Sequence, residues 1–260
     1  MASKKIIITG GTGGIGCRIT QSLLLAGHSV TIWSRDEVKF SEYKESLGET
    51  GVNLFFKKVD VSNEKEVEAA SNEVDDLDIL INSAAVLWPT KLFTETGMDE
   101  LKESIEISLW GTIYACYYLL PKLKGSKKGK IVNFSGGGGA NGRKNHMAYS
   151  LSKTALIRFT ENLAIENPEI DVNIIAPGAH NTGMWNDEKC EVAPDKWGSM
   201  DDLISFFEFL VSEKSDGISG RFINYRDDWA KEDFVKKIKN DADFLTLRRI
   251  DDFQFTKISR

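Results

Sequence analysis

Two tyrosine–lysine pairs, Tyr118 with Lys122 and Tyr149 with Lys153, have the four-residue spacing that brings side chains together on one helix face. An ammonium one turn from a tyrosine stabilises the phenolate and lowers the phenol's pKa, so the pair can relay a proton. Hydride chemistry needs such a relay, because a carbonyl or carbinol oxygen gains or loses a proton as its carbon gains or loses hydride. Tyr149-x-x-x-Lys153 follows a strand-like run and polar turn, Ile131 to Gly139, whereas Tyr118 reads as a packing residue.

A second cluster, Thr9-Gly10-Gly11-Thr12-Gly13-Gly14-Ile15-Gly16, joins the first strand-like run to the first helical stretch. Glycines there let the backbone turn tightly against a pyrophosphate, and the N–H groups of the helix start supply partial positive charge. Gly11-x-Gly13-x-x-Gly16 fits the general dinucleotide fingerprint, and Thr9-Gly10-x-x-x-Gly14-x-Gly16 fits a second spacing. The general fingerprint expects an acidic residue about 20 positions on, at the ribose 2′-hydroxyl, and Asp36 meets that expectation for NAD.

These residues need elements to hold them. Runs rich in β-branched residues recur at Lys5 to Ile8, Val30 to Trp33, Leu54 to Val59, Ile79 to Ile81, Lys130 to Phe134, Val172 to Ile175 and Arg221 to Ile223. Helical periodicity fills Ile15 to Ala26, Glu64 to Val74, Met98 to Leu120 and His146 to Glu166. Strand and helix in alternation predict an α/β fold, a Rossmann-type doubly wound parallel sheet in a single domain. The expected division is a dinucleotide-binding and catalytic domain over 1–224 and an extension over 225–260. That extension carries a short helix at Lys231 to Lys239 and aromatic anchors Trp229, Phe234, Phe244, Phe253 and Phe255, which argue for docking or oligomer formation.

Composition bounds the function. With 41% hydrophobic and 28% charged residues the chain can bury a core, and 33 basic against 39 acidic residues is the wrong balance for tracking nucleic acid. Lys4 and Lys5 precede an apolar run that stops at Thr9-Gly10, too short for a signal core or a membrane span, so the protein reads as cytoplasmic. Cys17, Cys116 and Cys190, with His28, His146 and His180, lack disulfide or metal-ligand spacing, and no metal is expected.

Thr-Gly-x-x-x-Gly-Ile-Gly resembles the signature of the short-chain dehydrogenase/reductase family, and the likeness runs from residue 5 to about 224. Asp60-Val61 is similar to the family's adenine-contacting pair, and Asn82-Ser83-Ala84-Ala85 to its Asn-Asn-Ala-Gly. Tyr149 with Lys153 is similar to its catalytic pair, and Pro177-Gly178 with Thr182 to its nicotinamide-carboxamide segment. In that register Ser34 ends the second strand and Arg35 follows, which suits the 2′-phosphate of NADP; NADP is preferred and NAD stays possible. The resemblance implies an NAD(P)-dependent oxidoreductase with Tyr149 as acid/base and Lys153 on the nicotinamide ribose.

The family's catalytic serine falls on Gly136 and its helical asparagine on Ser108, so two groups are substituted, and Ser135 is the first candidate to stand in. A catalytically weak or inactive dinucleotide-binding regulator is the alternative. The segment Gly183 to Ser199, with Met184, Trp185, Cys190 and Trp197, reads as a mobile lid over a small carbonyl or alcohol substrate, conceivably a sugar derivative. The family's usual pairing through its two long helices implies a homodimer or homotetramer.

Overall fold

The computed structural model describes residues 3–189 and 191–248. Cys190, Phe253 and Phe255 lie outside the described residues. Seven strands form the sheet: β1 (Lys5–Thr9), β2 (Ser29–Ser34), β3 (Leu54–Lys58), β4 (Ile79–Asn82), β5 (Lys130–Phe134), β6 (Asp171–Ala176) and β7 (Arg221–Asn224). Among the described residues eight α-helices accompany them: α1 (Gly14–Leu25), α2 (Glu37–Leu47), α3 (Glu64–Asn72), α4 (Met98–Ile105), α5 (Gly111–Gly125), α6 (Met147–Glu166), α7 (Met200–Val211) and α8 (Asp233–Asn240).

All neighbouring strands pair parallel, in the order β3-β2-β1-β4-β5-β6-β7. The chain winds outward from β1 to β3, then restarts beside β1 with β4. At that switch point the connections diverge and leave a crevice beyond the strand carboxyl ends, where ligands bind in open α/β sheets. The strands are apolar on both faces because both are covered. Ile6 and Ile8 face a layer with Phe206 and Phe207 of α7, while Ile7 and Leu80 face one with Leu119 and Leu123 of α5.

Two helices were not legible as such. Only Phe40 of α2 is buried, so that helix lacks an apolar stripe, and the apolar run of α7 looks equally like a buried strand. The expected single helix from Met98 to Leu120 is broken by a π-helical turn at Glu106–Trp110, and α5 then continues through Pro121. No helix among the described residues is long and apolar enough to cross a membrane.

The described part of the extension docks on its own chain. Trp229 packs on Phe206 and Phe209 with ring centroids 5.5 and 5.4 Å apart, and Phe234 and Ile238 of α8 enter the same core. The Phe222 N–H donates to the Leu245 carbonyl at 2.7 Å, covering the outer edge of β7, and the Leu247 N–H donates to Glu161 of α6 at 2.6 Å. Phe234→Ala should lower the unfolding free energy by about 3–5 kcal/mol in a denaturant titration, as a buried aromatic does. Val192→Ala, at a site 94% exposed, should change it by less than about 0.5 kcal/mol.

Candidate active site

The β1–α1 turn works by backbone shape. Gly10 and Gly14 have φ of +69° and +50°, and a Cβ on Gly10 would lie 2.9 Å from Ala84 Cα, so the turn closes onto the chain leaving β4. Thr182, beyond β6, comes back to the same turn, its Cβ 3.4 Å from where one on Gly14 would stand. A cavity of about 310 Å³ opens here, and Gly10, Thr12, Gly13, Ser34, Arg35, Asp60, Val61 and Ala84 all line it. Ile15 instead turns inward to pack on the core, and Gly178 (φ +75°) is pressed against Tyr225.

Charge at this cavity is cationic on one side. Arg35 Nη1 reaches Asp60 Oδ2 at 3.4 Å. Although partial burial pushes the Asp60 carboxyl up, hydrogen bonds from Ser62 and the Arg35 charge hold it below its ordinary value. Asp36, the expected partner of a ribose hydroxyl, is the N-cap of α2 and accepts from the Lys39 N–H at 2.9 Å. The cap sets Lys39 in the first turn with its Nζ 3.4 Å from a Cβ on Gly13, and Lys39 forms no ion pair among the described residues.

Tyr149 and Lys153 are brought together as expected, both buried in the first turns of α6. Lys153 Nζ donates to the Phe134 carbonyl at 2.8 Å, at the end of β5, and lies 5.5 Å from the centre of the Tyr149 ring. It has no carboxylate partner among the described residues. Burial pulls the ammonium down to about 8. Burial also pushes the Tyr149 phenol up to about 12, with the Arg143 charge pulling the other way. The sequence expectation of a lowered phenol is therefore reversed here, since desolvation outweighs the Arg143 charge.

Gly136 faces this phenol so closely that a Cβ there would overlap the Tyr149 hydroxyl. Ser135, expected beside Tyr149, has its Oγ against Gly139, buried and without a hydrogen-bond partner among the described residues. The Ser135 hydroxyl therefore makes no hydrogen bond to the Tyr149 phenol. Asn82 also departs from its expected place. Its amide donates to Asn133 Oδ1 at 2.9 Å and Asn133 donates to Thr160 at 2.9 Å, so the side chain belongs to the layer between sheet and helices. Ser83 follows it out of β4. Ser108, inside the π-helical turn, accepts from the Val86 N–H at 3.1 Å and ties that turn to the cleft wall. His180 is buried between the Gly178 and Ser199 carbonyls, away from solvent. Tyr118 bonds Glu64 of α3, a packing role.

The short chain dehydrogenase family model matches residues 4–192. The chain belongs to the short-chain dehydrogenase/reductase family. Among curated relatives, diacetyl reductase [(S)-acetoin forming] of Staphylococcus epidermidis is 29% identical over 248 residues, 85% of this chain and 96% of that one. The 2-dehydro-3-deoxy-D-gluconate 5-dehydrogenase of Formosa agariphila is 30% identical over 242 residues, 85% of this chain and 90% of that one. Among solved structures, ElxO with NADP bound superimposes with a TM-score of 0.78 at 27% identity, over 86% of this chain and 97% of that one. Membership makes the chain an oxidoreductase of the short-chain type.

Sequence reasoning missed Lys39, because α2, whose first turn places it at the cavity, has almost no buried face to announce it. It also passed over Arg143, and treated His146 as an ordinary helix-start residue; their partners lie more than 40 residues away on the segment after β6. Gly136→Ala should cost about 1–3 kcal/mol of stability by overpacking against the phenol. Gly137→Ala, with nothing within 4 Å, should be neutral or stabilising by a few tenths of a kcal/mol in the same denaturant assay.

Proposed function

We propose that this short-chain dehydrogenase/reductase is NADP-dependent and reduces a small polar carbonyl, or oxidises the corresponding alcohol, with Tyr149 as the acid/base. The observation that carries the reading is the buried Lys153 ammonium, held by the Phe134 carbonyl beside Tyr149 with no counter-charge among the described residues. A buried cation without a partner is costly, and a polar ligand that accepts its remaining hydrogens offsets that cost. The ribose hydroxyls of a nicotinamide nucleotide are such acceptors.

Other residues fit the same group. The glycine turn leaves room for a pyrophosphate at the start of α1. Arg35 and Lys39, the latter with no ion pair among the described residues, together with Ser34 at the end of β2, suit a ribose 2′-phosphate better than a bare hydroxyl, which favours NADP over NAD. Asp60, Val61, Ser83 and Ala84 are assigned to the adenosine side, and Pro177, Gly178 and Thr182 to the nicotinamide side.

When bound, the nicotinamide supplies or accepts the hydride. Tyr149 gives or takes the proton at the substrate oxygen, and its phenol, kept neutral by burial, begins reduction as the acid. Lys153 supports the phenolate left behind and holds the ribose. Gly136 gives the phenol the space that a side chain would fill. The names of the relatives, which designate diacetyl and a dehydro-deoxy sugar acid, support a small oxygenated substrate.

Screening carbonyl compounds by NADPH oxidation, with wild type and Tyr149→Phe, tests the reading. Tyr149→Phe should lower turnover by about 10²–10⁴ while NADPH affinity stays within roughly threefold. Cofactor binding with no Tyr149-dependent turnover would instead assign the chain to a non-catalytic dinucleotide-binding regulator. Arg35→Ala and Lys39→Ala should each weaken NADPH about tenfold, the size of one lost bond to a charged group, and leave NADH unchanged in equilibrium titrations.

A further inference from the structure

The segment after β6 crosses the cleft. Thr182 sits at the glycine turn and Glu188 against the start of α6, so the short helical turns of Gly183–Asp187 arch between them. Glu188 ends in a closed socket. Its carboxylate is 0% exposed and lies 2.7 Å from Arg143 Nη2 and 2.7 Å from His146 Nε2. Arg143 also grips Glu191, through Nε at 2.6 Å and Nη2 at 2.9 Å. Both basic residues belong to the stretch that leads into α6, and His146 lies three residues before Tyr149.

The imidazole is held at both ring nitrogens: Nδ1 lies 2.6 Å from the Lys144 carbonyl and Nε2 lies 2.7 Å from the Glu188 carboxylate. The same Glu188 oxygen is 2.7 Å from the Arg143 guanidinium, so the carboxylate is clasped from two sides and shielded from solvent.

We propose that Glu188 latches this segment over the reaction site by docking between Arg143 and His146. The placing of the reaction site at Tyr149 rests on the function proposed above. With the segment open, Glu188 would be a solvated carboxylate, so its contacts with Arg143 and His146 are what hold the segment down. The other charged or titratable groups around the imidazole are Arg143, Lys144 and Tyr149 on its own side and Glu191 on the arch. Arg143 is fixed beside Tyr149 by the same carboxylates, and its charge bears on that phenol, so Glu188 is a positioning residue for the reaction.

Lys189, exposed and next to Glu188, gives a readout independent of turnover. The full chain is digested with trypsin, and nicking after Lys189 is followed by mass spectrometry against an unfolded peptide of the same sequence. His146→Gln and Arg143→Gln leave the sequence around Lys189 intact, and each should be nicked roughly tenfold faster than wild type, the factor for about 1.4 kcal/mol of latch. In turnover, His146→Gln should raise KM several-fold with kcat much less changed. Equal nicking of wild type and both variants overturns the latch. Because nicking needs no substrate, a failure of the hydride chemistry at Tyr149 leaves this result standing, and the reverse holds as well.

Discussion

The Lys153 ammonium is the constraint from which the rest of the site follows. It is 3% exposed, has one strand-end carbonyl as its partner and no counter-charge among the described residues. Removing a cation from water to such a place is expensive, and the result is an ammonium that gives up its proton near pH 8 instead of above 10. Nothing local in α6 requires this. The residue is held there because β5 ends at Phe134, α6 begins over that end, and Tyr149 one turn earlier closes the space above.

That arrangement requires backbone without side chains where strands end. The carboxyl ends of β1, β4 and β5 converge at the switch point, and the phenol of Tyr149 occupies the volume that a side chain on residue 136 would take. The absence of a serine there is thus coupled to the position of the tyrosine. At the far end of the cleft the demands differ. Arg35 and Lys39 stay at the rim, where an ammonium or guanidinium costs little and an arriving phosphate can be met. In the proposed function, binding falls to exposed cations at one end and chemistry to a desolvated one at the other.

Much of this was written in short-range pattern. The succession of strands along the chain, the glycine turn and the helical face shared by Tyr149 and Lys153 all rest on spacings within a few residues, and they survive in the structure nearly unchanged. What was illegible depends on distance or environment. α2 has almost no buried face to announce it, and Ser135 looked available because sequence does not show which way a strand-end hydroxyl points. Asn82 looked like a cleft residue because its neighbours are, yet its amide is engaged with Asn133 across the sheet. The direction of the tyrosine shift was misjudged for a related reason: spacing reveals a nearby cation but not the desolvation that outweighs it. The pairing of Glu188 with His146 joins positions 42 residues apart, which no local pattern encodes.

The most direct measurement is the titration of the Lys153 Nζ by NMR in protein carrying ¹⁵N-labelled lysine, assigned with Lys153→Arg, in the absence and presence of NADPH. The account predicts one lysine that loses its proton near pH 8 without ligand and at a higher pH once polar acceptors surround it. A Lys153 that titrates with the other lysines, above pH 10 whether or not NADPH is bound, would contradict it.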